Sequence, residues 1–334
     1  MNTAAIDAIA TAVLYEGYML YPYRPSSVKN RQRFNFGVLY PRTYSEAQSG
    51  SDAWCTHTEV LVAGTSQTSI EVRARFLKLV SRSEHKQNER ASQPWQEAIE
   101  CDVAAPLHNL QALLAATVPL EWPFLFAVTE TTESSVSSSG EPVQIGRRQE
   151  SVSGMLRVQA SCLADGLFKV QVRLENVTWL DQDDKAQASR DEVLMRSLVS
   201  AHILLGVEDG QFVSLLEPPE NLKGLVSDCQ NVGVWPVLVG AAGARDTMLA
   251  SPIILYDYPQ IAPESPGDLF DGGEIDEILA LRIMTMTEEE KHEMRHGDDR
   301  ARKILERTES LPLEHLMKLH GTLRDLRALN EETP

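Results

Sequence analysis

Cysteine is scarce in this chain of 334 residues, and the four that occur (Cys55, Cys101, Cys162, Cys229) stand 46, 61 and 67 positions apart with no CxxC pair. Spacing this wide excludes a disulfide-stapled scaffold, and a chain this long needs no staple. The four are expected to be reduced thiols, so the Asn176-Val177-Thr178 sequon is not expected to carry a glycan. Cations are also in deficit: 31 Lys and Arg against 48 Asp and Glu give a net charge of −17. Such a field repels a phosphate backbone, and general nucleic-acid binding is not expected. No run approaches the roughly 20 apolar residues that cross a bilayer. The longest near the start, Ala8 to Leu14, follows Asp7 rather than a cation, which predicts no signal peptide, no membrane contact and a cytoplasmic protein. GxSxG, Walker and GxGxxG patterns are missing, and Gly240-Ala241-Ala242-Gly243 reads as a strand connection rather than a phosphate loop. Asp268, Asp271, Glu274 and Asp276 lack the spacing of a calcium loop. No catalytic residues, metal ligands or cofactor follow from these residues, and the enzyme question leans towards no.

What is present is concentrated. Six of the eight tyrosines and two of the eight phenylalanines lie between Tyr15 and Tyr44, and Gly17 to Tyr44 carries five cations (Arg24, Lys29, Arg31, Arg33, Arg42) and no acid. Tyrosine and arginine combine rigid apolar area with fixed hydrogen-bond donors, as recognition surfaces do. The segment is therefore read as a partner-binding surface built on Tyr18, Tyr21, Tyr23, Arg24, Lys29, Arg31, Arg33, Tyr40 and Arg42. The plainer alternative is a core edge filled by the rings and covered by the arginines. Stacking of single-stranded bases is a further use of such residues, opposed here by the anionic remainder.

Along the chain, Ala4 to Leu14 has the spacing of a short amphipathic helix. Glu59–Ala63 and Ser69–Val80 read as one hairpin, and Leu156–Cys162 with Leu167–Glu175 as a second around Ala164-Asp165-Gly166. Pro123–Val128, Val232–Val239 and Ile253–Tyr256 suit strands. Ser189 and Glu192 have capping-box spacing and predict a helix through Leu194, Leu198, Ala201 and Leu205, stopped by Gly206. A weaker helix is expected between Trp95 and Leu114, and a mobile serine-rich loop over Thr131–Gly140. Ile261 to Glu290 holds nine acids against one cation, Arg282. Beyond it a very polar helix from Thr287 and an amphipathic one after Pro312, striped by Leu316, Leu319, Leu323 and Leu326, are expected. The reading is α+β: a β-rich antiparallel, sandwich-like body over residues 1–258, an acidic linker over 259–286 and a helical arm over 287–330.

Two patterns invite a metal. His292-Glu293-Met294-Arg295-His296 matches HExxH, in which two histidines one turn apart bind zinc and the glutamate activates water. A zinc-dependent hydrolase is the enzymatic alternative it offers. Its setting, EEEKHEMRHGDD, is a solvated face with a cation inside the motif, unlike the dry cavity such a site needs. Cys55 and His57, two apart, would point the same way in a strand, with a core thiol beside a surface histidine as the plain alternative. The acidic linker either stays solvated or docks on a basic surface, that of Arg24 to Arg42 or a partner's.

Two blocks, EGYMLYPYRPSSVKNRQRFNFGVLYPRTYSEAQ (Glu16–Gln48) and SPIILYDYPQIAPESPGDLFDGGEIDEILALRI (Ser251–Ile283), resemble uncharacterised cytoplasmic proteins encoded beside nickel-iron hydrogenase genes in bacteria. The resemblance implies an accessory role in hydrogenase maturation or assembly and supplies no active-site residues. Together these readings predict a non-catalytic assembly factor that binds a protein, a hydrogenase subunit or maturation factor, through the aromatic segment and an arm bearing Leu316 and Leu323. A homo-oligomeric scaffold paired through the terminal helices is a third reading.

Overall fold

The computed structural model describes residues 3–19, 21–24, 27, 30, 33–86, 95–136, 142–180, 188–260, 276–297 and 299–312. In chain order these form α1 (Thr3–Leu14), α2 (Arg42–Ala47), β1 (Cys55–Lys86), β2 (Trp95–Ala104), β3 (His108–Asn109), α3 (Leu110–Ala115), β4 (Leu120–Phe126), β5 (Thr129–Val136), β6 (Pro142–Gln149), β7 (Val152–Ala164) and β8 (Leu167–Asn176). Then follow α4 (Arg190–Leu194), β9 (Val199–Phe212), α5 (Lys223–Ser227), β10 (Trp235–Leu238), β11 (Thr247–Ser251), α6 (Asp276–Met284), α7 (Glu288–Gly297) and α8 (Asp299–Glu309). The fold is α+β and β-rich, with an antiparallel sheet and helices at the C-terminal end. Two compact units interleave: Met1–Glu16 with Phe34–Gln260, and Gly17–Arg33 with Ile261–Pro334.

The first unit is organised on β1, a single strand of 32 residues. Drawn out straight it would run about 100 Å, so it bends, and different stretches bond different strands. One edge meets β8 along Cys55–Ala63, β3 at Ser69–Ile70 and β2 along Arg73–Arg82. The other meets β9 along Val62–Leu77 and β6 along Ser81–Lys86. The full sheet of 11 strands runs β10-β11-β9-β1-β8-β7-β4, with β2, β3 and β6 also on β1 and β5 on β6. Val60, Val62, Ile70, Val72, Ala74 and Phe76 share one inner face with Val170, Val172 and Leu174 of β8 and Ile203 and Leu205 of β9, all buried. Each such side chain contributes roughly 1.5–3 kcal/mol by leaving water.

Several expectations are corrected. Glu59–Ala63 and Ser69–Val80 are successive parts of β1 rather than a hairpin, because Thr65–Thr68 bulges out of the ladder: Gly64 pairs with Gly210 and the next pair is Ser69 with Glu208. Thr68, wholly buried, holds the bulge by accepting from Thr65 N at 2.9 Å and donating to Asp209 O at 2.7 Å. Trp95–Leu114 is strand β2, bridge β3 and only a short α3, and the Ser189 helix ends at Leu194, its capping box intact. After it the run Val199–Val207 is a strand buried on both faces, an apolar pattern that periodicity alone cannot distinguish from a helix. Thr131–Val136 belongs to β5 and pairs with β6 rather than forming a loop; the rest of the serine-rich stretch lies outside the described residues. Ile253–Tyr256 is not a strand. The hairpin around Asp165 forms as expected, as do α1, β4, β10 and the connection through Gly240–Gly243.

In the second unit Leu279, Ala280 and Ile283 of α6, Met294 of α7, and Ala301, Ile304 and Leu305 of α8 are buried. Thus part of the expected linker is helix, because its apolar residues recur at helical spacing. The polar helix from Thr287 is α7, opened by a capping box: Glu290 N donates to Thr287 Oγ1 at 3.2 Å and Thr287 N to Glu290 Oε2 at 3.0 Å. Arg295 grips both oxygens of Glu309 at 2.8 and 2.9 Å, tying α7 to α8. The expected helix after Pro312, with Leu316 and Leu323, lies outside the described residues.

Thr68→Val, which keeps the shape and removes both hydrogen bonds, is predicted to lower stability by about 1–3 kcal/mol. Gly64→Ala should cost at least as much, since its Cβ would land on Thr68 Oγ1. Guanidinium melts measure both; a loss below about 0.5 kcal/mol for Thr68→Val would show that the bulge is not pinned there.

Candidate functional site

The aromatic segment divides between the units at Arg33. Tyr15, Tyr18, Tyr23 and Tyr40 are buried, as is Arg33, while Tyr21, Arg24 and Tyr44 are half-buried. In the second unit the Arg33 guanidinium lies 5.5 Å from the Tyr18 ring, Arg282 of α6 lies 5.4 Å from that of Tyr21, and Tyr21 meets Tyr23 edge-on at 6.1 Å. Arg24 pairs with Glu290 at 3.1 Å and Glu293 at 3.7 Å, both on α7. In the first unit Leu39 bonds Leu198 in both directions, and Gly37 O accepts from Ala201 N at 2.9 Å. Arg42 is exposed, bonded to Glu46 at 2.7 Å with its guanidinium 4.5 Å from the Trp54 ring. Lys29 and Arg31 lie outside the described residues. The outward-facing surface is therefore corrected: Tyr18, Tyr23, Tyr40 and Arg33 are interior and Arg24 is neutralised by the chain's own carboxylates, because the ring bodies bury more favourably than they hydrate.

The metal readings meet the same accounting. Glu293 of the HEMRH run is paired with Arg24, and Arg295 with Glu309; the His296 side chain lies outside the described residues. Glu293 is thus engaged by a cation of the same chain. His57 Nε2 lies 3.2 Å from Glu59 Oε1, and Cys55 Sγ accepts from Arg173 Nη2 at 3.2 Å. Burial raises the pKa of the Cys55 thiol despite Arg173. For Glu59 burial acts upward too, but hydrogen bonds from Gln230 N–H, His57 and Lys169 prevail and hold its carboxyl below the usual range. No group of three or more potential metal ligands occurs among the described residues. All four cysteines are free thiols, and burial pushes those of Cys101 and Cys229 up to about 11, far from the thiolate that nucleophilic chemistry needs. Asn176 is buried and donates to Leu39 O at 2.8 Å and Arg196 O at 3.0 Å, which leaves its sequon no amide to modify.

A polar row that sequence reading missed crosses five strands in register: Asp102 on β2, Arg75 on β1, His202 on β9, Ser251 on β11 and Trp235 on β10. Arg75 donates to Asp102 at 3.4 Å and to Asp7 of α1 at 2.8 Å. His202 Nδ1 lies 2.7 Å from Ser200 O, which can only accept, so Nδ1 carries the proton and Nε2 accepts from Ser251 Oγ at 3.1 Å. The connectivity is that of nucleophile, base and orienting group. The environment is not: His202 and Ser251 are wholly buried, and burial lowers the imidazole to about 4, too weak a base for serine at neutral pH. The row pins the sheet beneath α1. Only knowing that β9 is a strand places His202 on that face, since no motif marks it.

At the end of this row the surface changes character. Trp235 is 45% exposed, and just past Ser251 lie Ile254 at 75% and Tyr256 at 83%. Leu255, between them, packs inward on the cluster of Val237, Val239 and Leu249, so the alternation throws its neighbours outward. No protein-family model matches the chain, and no curated protein matches it. Among the described residues no helix is long and apolar enough to cross a bilayer.

His202 carries a predicted acid dependence. Its folded pKa is depressed from 6.5 to about 4, so the unfolded chain binds the extra proton. Stability is full above pH 6.5 and falls on descent towards pH 4, by on the order of 3 kcal/mol at about 1.4 kcal/mol per unit. Urea melts across that range should show the slope, and His202→Gln, which keeps both hydrogen bonds, should remove it. In the second unit Tyr23→Ala is predicted to cost about 3 kcal/mol or more, whereas Arg24→Ala, losing half-exposed ion pairs, should cost less than about 1 kcal/mol; hydrogen exchange of the α7 amides would reveal a reversed order.

Proposed function

We propose that this chain works by binding a protein partner and that the grip lies on Trp235, Ile254 and Tyr256 rather than on the Tyr18–Tyr44 segment. The observation that carries the reading is the exposure of three large apolar side chains along β10 and the segment that follows β11, Trp235 at 45%, Ile254 at 75% and Tyr256 at 83%. Apolar clusters left in water mark interaction sites, and tryptophan and tyrosine are the residues on which binding energy concentrates. Ile254 and Tyr256 also fall inside Ser251–Ile283, one of the two blocks that carry the resemblance. That resemblance supports a cytoplasmic accessory role in nickel-iron hydrogenase maturation or assembly, with a hydrogenase subunit or maturation factor as the partner.

Affinity capture from the native bacterium, with mass spectrometry of what is retained, tests both halves. The expected result is a hydrogenase subunit or maturation factor held by the natural chain and reduced at least tenfold by Ile254→Asp or Tyr256→Asp, each at an exposed position where folding survives. Such a partner held equally well by both variants would refute the patch. Absence of any hydrogenase-related protein would refute the setting.

A further inference from the structure

Among the described residues, four strands longer than two residues are bonded on one side only: β10, β4, β2 and β5. An open edge templates association unless something blocks it. On β10, Pro236 brings no donor, Leu238 N donates to Asp257 Oδ1 at 2.8 Å, and Leu238 O accepts from Tyr258 N at 2.7 Å. On β4, Pro123 interrupts the edge. On β2, Glu97 is held by Arg82 and Arg147, Glu100 by Tyr15, and Gln96 by the Asp191 carbonyl.

Among the described residues β5 has no such device. It contains no proline or cation, its ladder with β6 is unbroken over eight pairs, and Thr129–Ser135 is exposed on both faces. Among the described residues its side-chain partner is Arg147 of β6, bonded to Glu133 at 2.8 Å. A strand wet on both faces and along one edge buries too little to offset its own ordering entropy, yet its threonines are strong strand formers. Such an edge is completed by strand addition.

We propose that β5 pairs with the same strand of a second copy of this chain, antiparallel about a two-fold axis, with Thr132 opposite Thr132. Length and charge together favour this register, which pairs Thr129–Ser135 with the same segment of the second copy, where centring on Thr131 would pair only Thr129–Glu133. Glu133 then faces Thr131 and Glu130 faces Ser134, so no glutamate meets its own kind, and a threonine pair sits at the centre. Centring on Glu133 instead would oppose two carboxylates. Two-fold symmetry uses one edge twice and closes the assembly. Because each copy carries −17, salt screens the repulsion and strengthens the association, the reverse of a contact made by ion pairs. The edge is separate from the Trp235–Tyr256 patch, so the two proposals fail independently.

Light scattering on the full chain tests it. The mass should rise with concentration from 37.1 kDa towards twice that value, further in higher salt, and Thr132→Pro should hold the protein monomeric. The register has its own test in a Cys162→Ser background, which removes the exposed native thiol. Opposed Cα atoms in an antiparallel pair stand about 4.5–5.5 Å apart, within disulfide reach. Thr132→Cys should therefore give a covalent dimer under mild oxidation, and Leu125→Cys, exposed on β4, should not. A monomer at every concentration and salt, without a cross-link at Thr132, overturns the proposal. So does a dimer untouched by both Thr132→Pro and Thr132→Lys, the second of which leaves pairing with β6 intact and sets like charges opposite.

Discussion

The register of β1 is the constraint on which the first unit depends. Five other strands bond to it, and side chains alternate with a period of two, so a slip of one residue would turn Val60, Val62, Ile70, Val72, Ala74 and Phe76 to the wrong face at once. The bulge at Thr65–Thr68 is where such a slip would begin. Between the pairs Gly64–Gly210 and Ile70–Val207, β1 advances six residues and β9 three. The even step keeps the inner face of β1, and the odd step on β9 is absorbed at Asp209, whose φ is +57°. Thr68 bonds the carbonyl of that same Asp209. One buried hydroxyl thus holds the extra loop of β1 and the left-handed residue of β9 together, and Gly210 is required because a Cβ there would stand 2.6 Å from Thr68 Cγ2.

The outer face solves a different problem. A strand buried on both sides, as β9 is, must satisfy any polar side chain it carries, and His202 sits where nothing solvates it. Ser251 Oγ gives the imidazole a donor and the Ser200 carbonyl an acceptor, while Asp7 and Asp102 neutralise the guanidinium of Arg75 beside it. The arrangement keeps His202 uncharged, since a second cation opposite Arg75 in a dry site would be strongly unfavourable. Stabilisation and acid sensitivity are one property of this row.

How much of this was legible depended on whether the signal was local. The hairpin around Asp165 was plain because its turn residues and both alternating strands lie within two dozen positions, and the Ser189–Glu192 capping box was recoverable because a cap needs only four residues. The continuation after Leu194 was not, because Val199–Val207 is apolar on both faces and its period carries no information. The Glu59–Val80 hairpin failed for a related reason. A polar tetrad between two strands reads as a turn, and only the pairing with β9 shows that the chain continues onward. His202, Ser251 and Arg75 lie far apart in sequence and meet through two strand pairings, so their row could not be read from spacing at all.

The aromatic segment shows why composition identifies chemistry before it identifies place. Tyrosine beside arginine is equally suited to gripping a foreign surface and to closing an internal one, since both uses exploit ring area and a forked donor. What separates them is whether acids of the same chain come within reach, and α7 supplies Glu290 and Glu293 to Arg24. Once that demand is met internally, the proposed recognition falls to side chains the fold leaves uncovered. Ile254 and Tyr256 are uncovered because Leu255 between them is committed to the core, and β5 because, among the described residues, nothing blocks its edge. Neither carries the charge or aromatic density that makes a sequence segment conspicuous, and both are defined by what their neighbours bury.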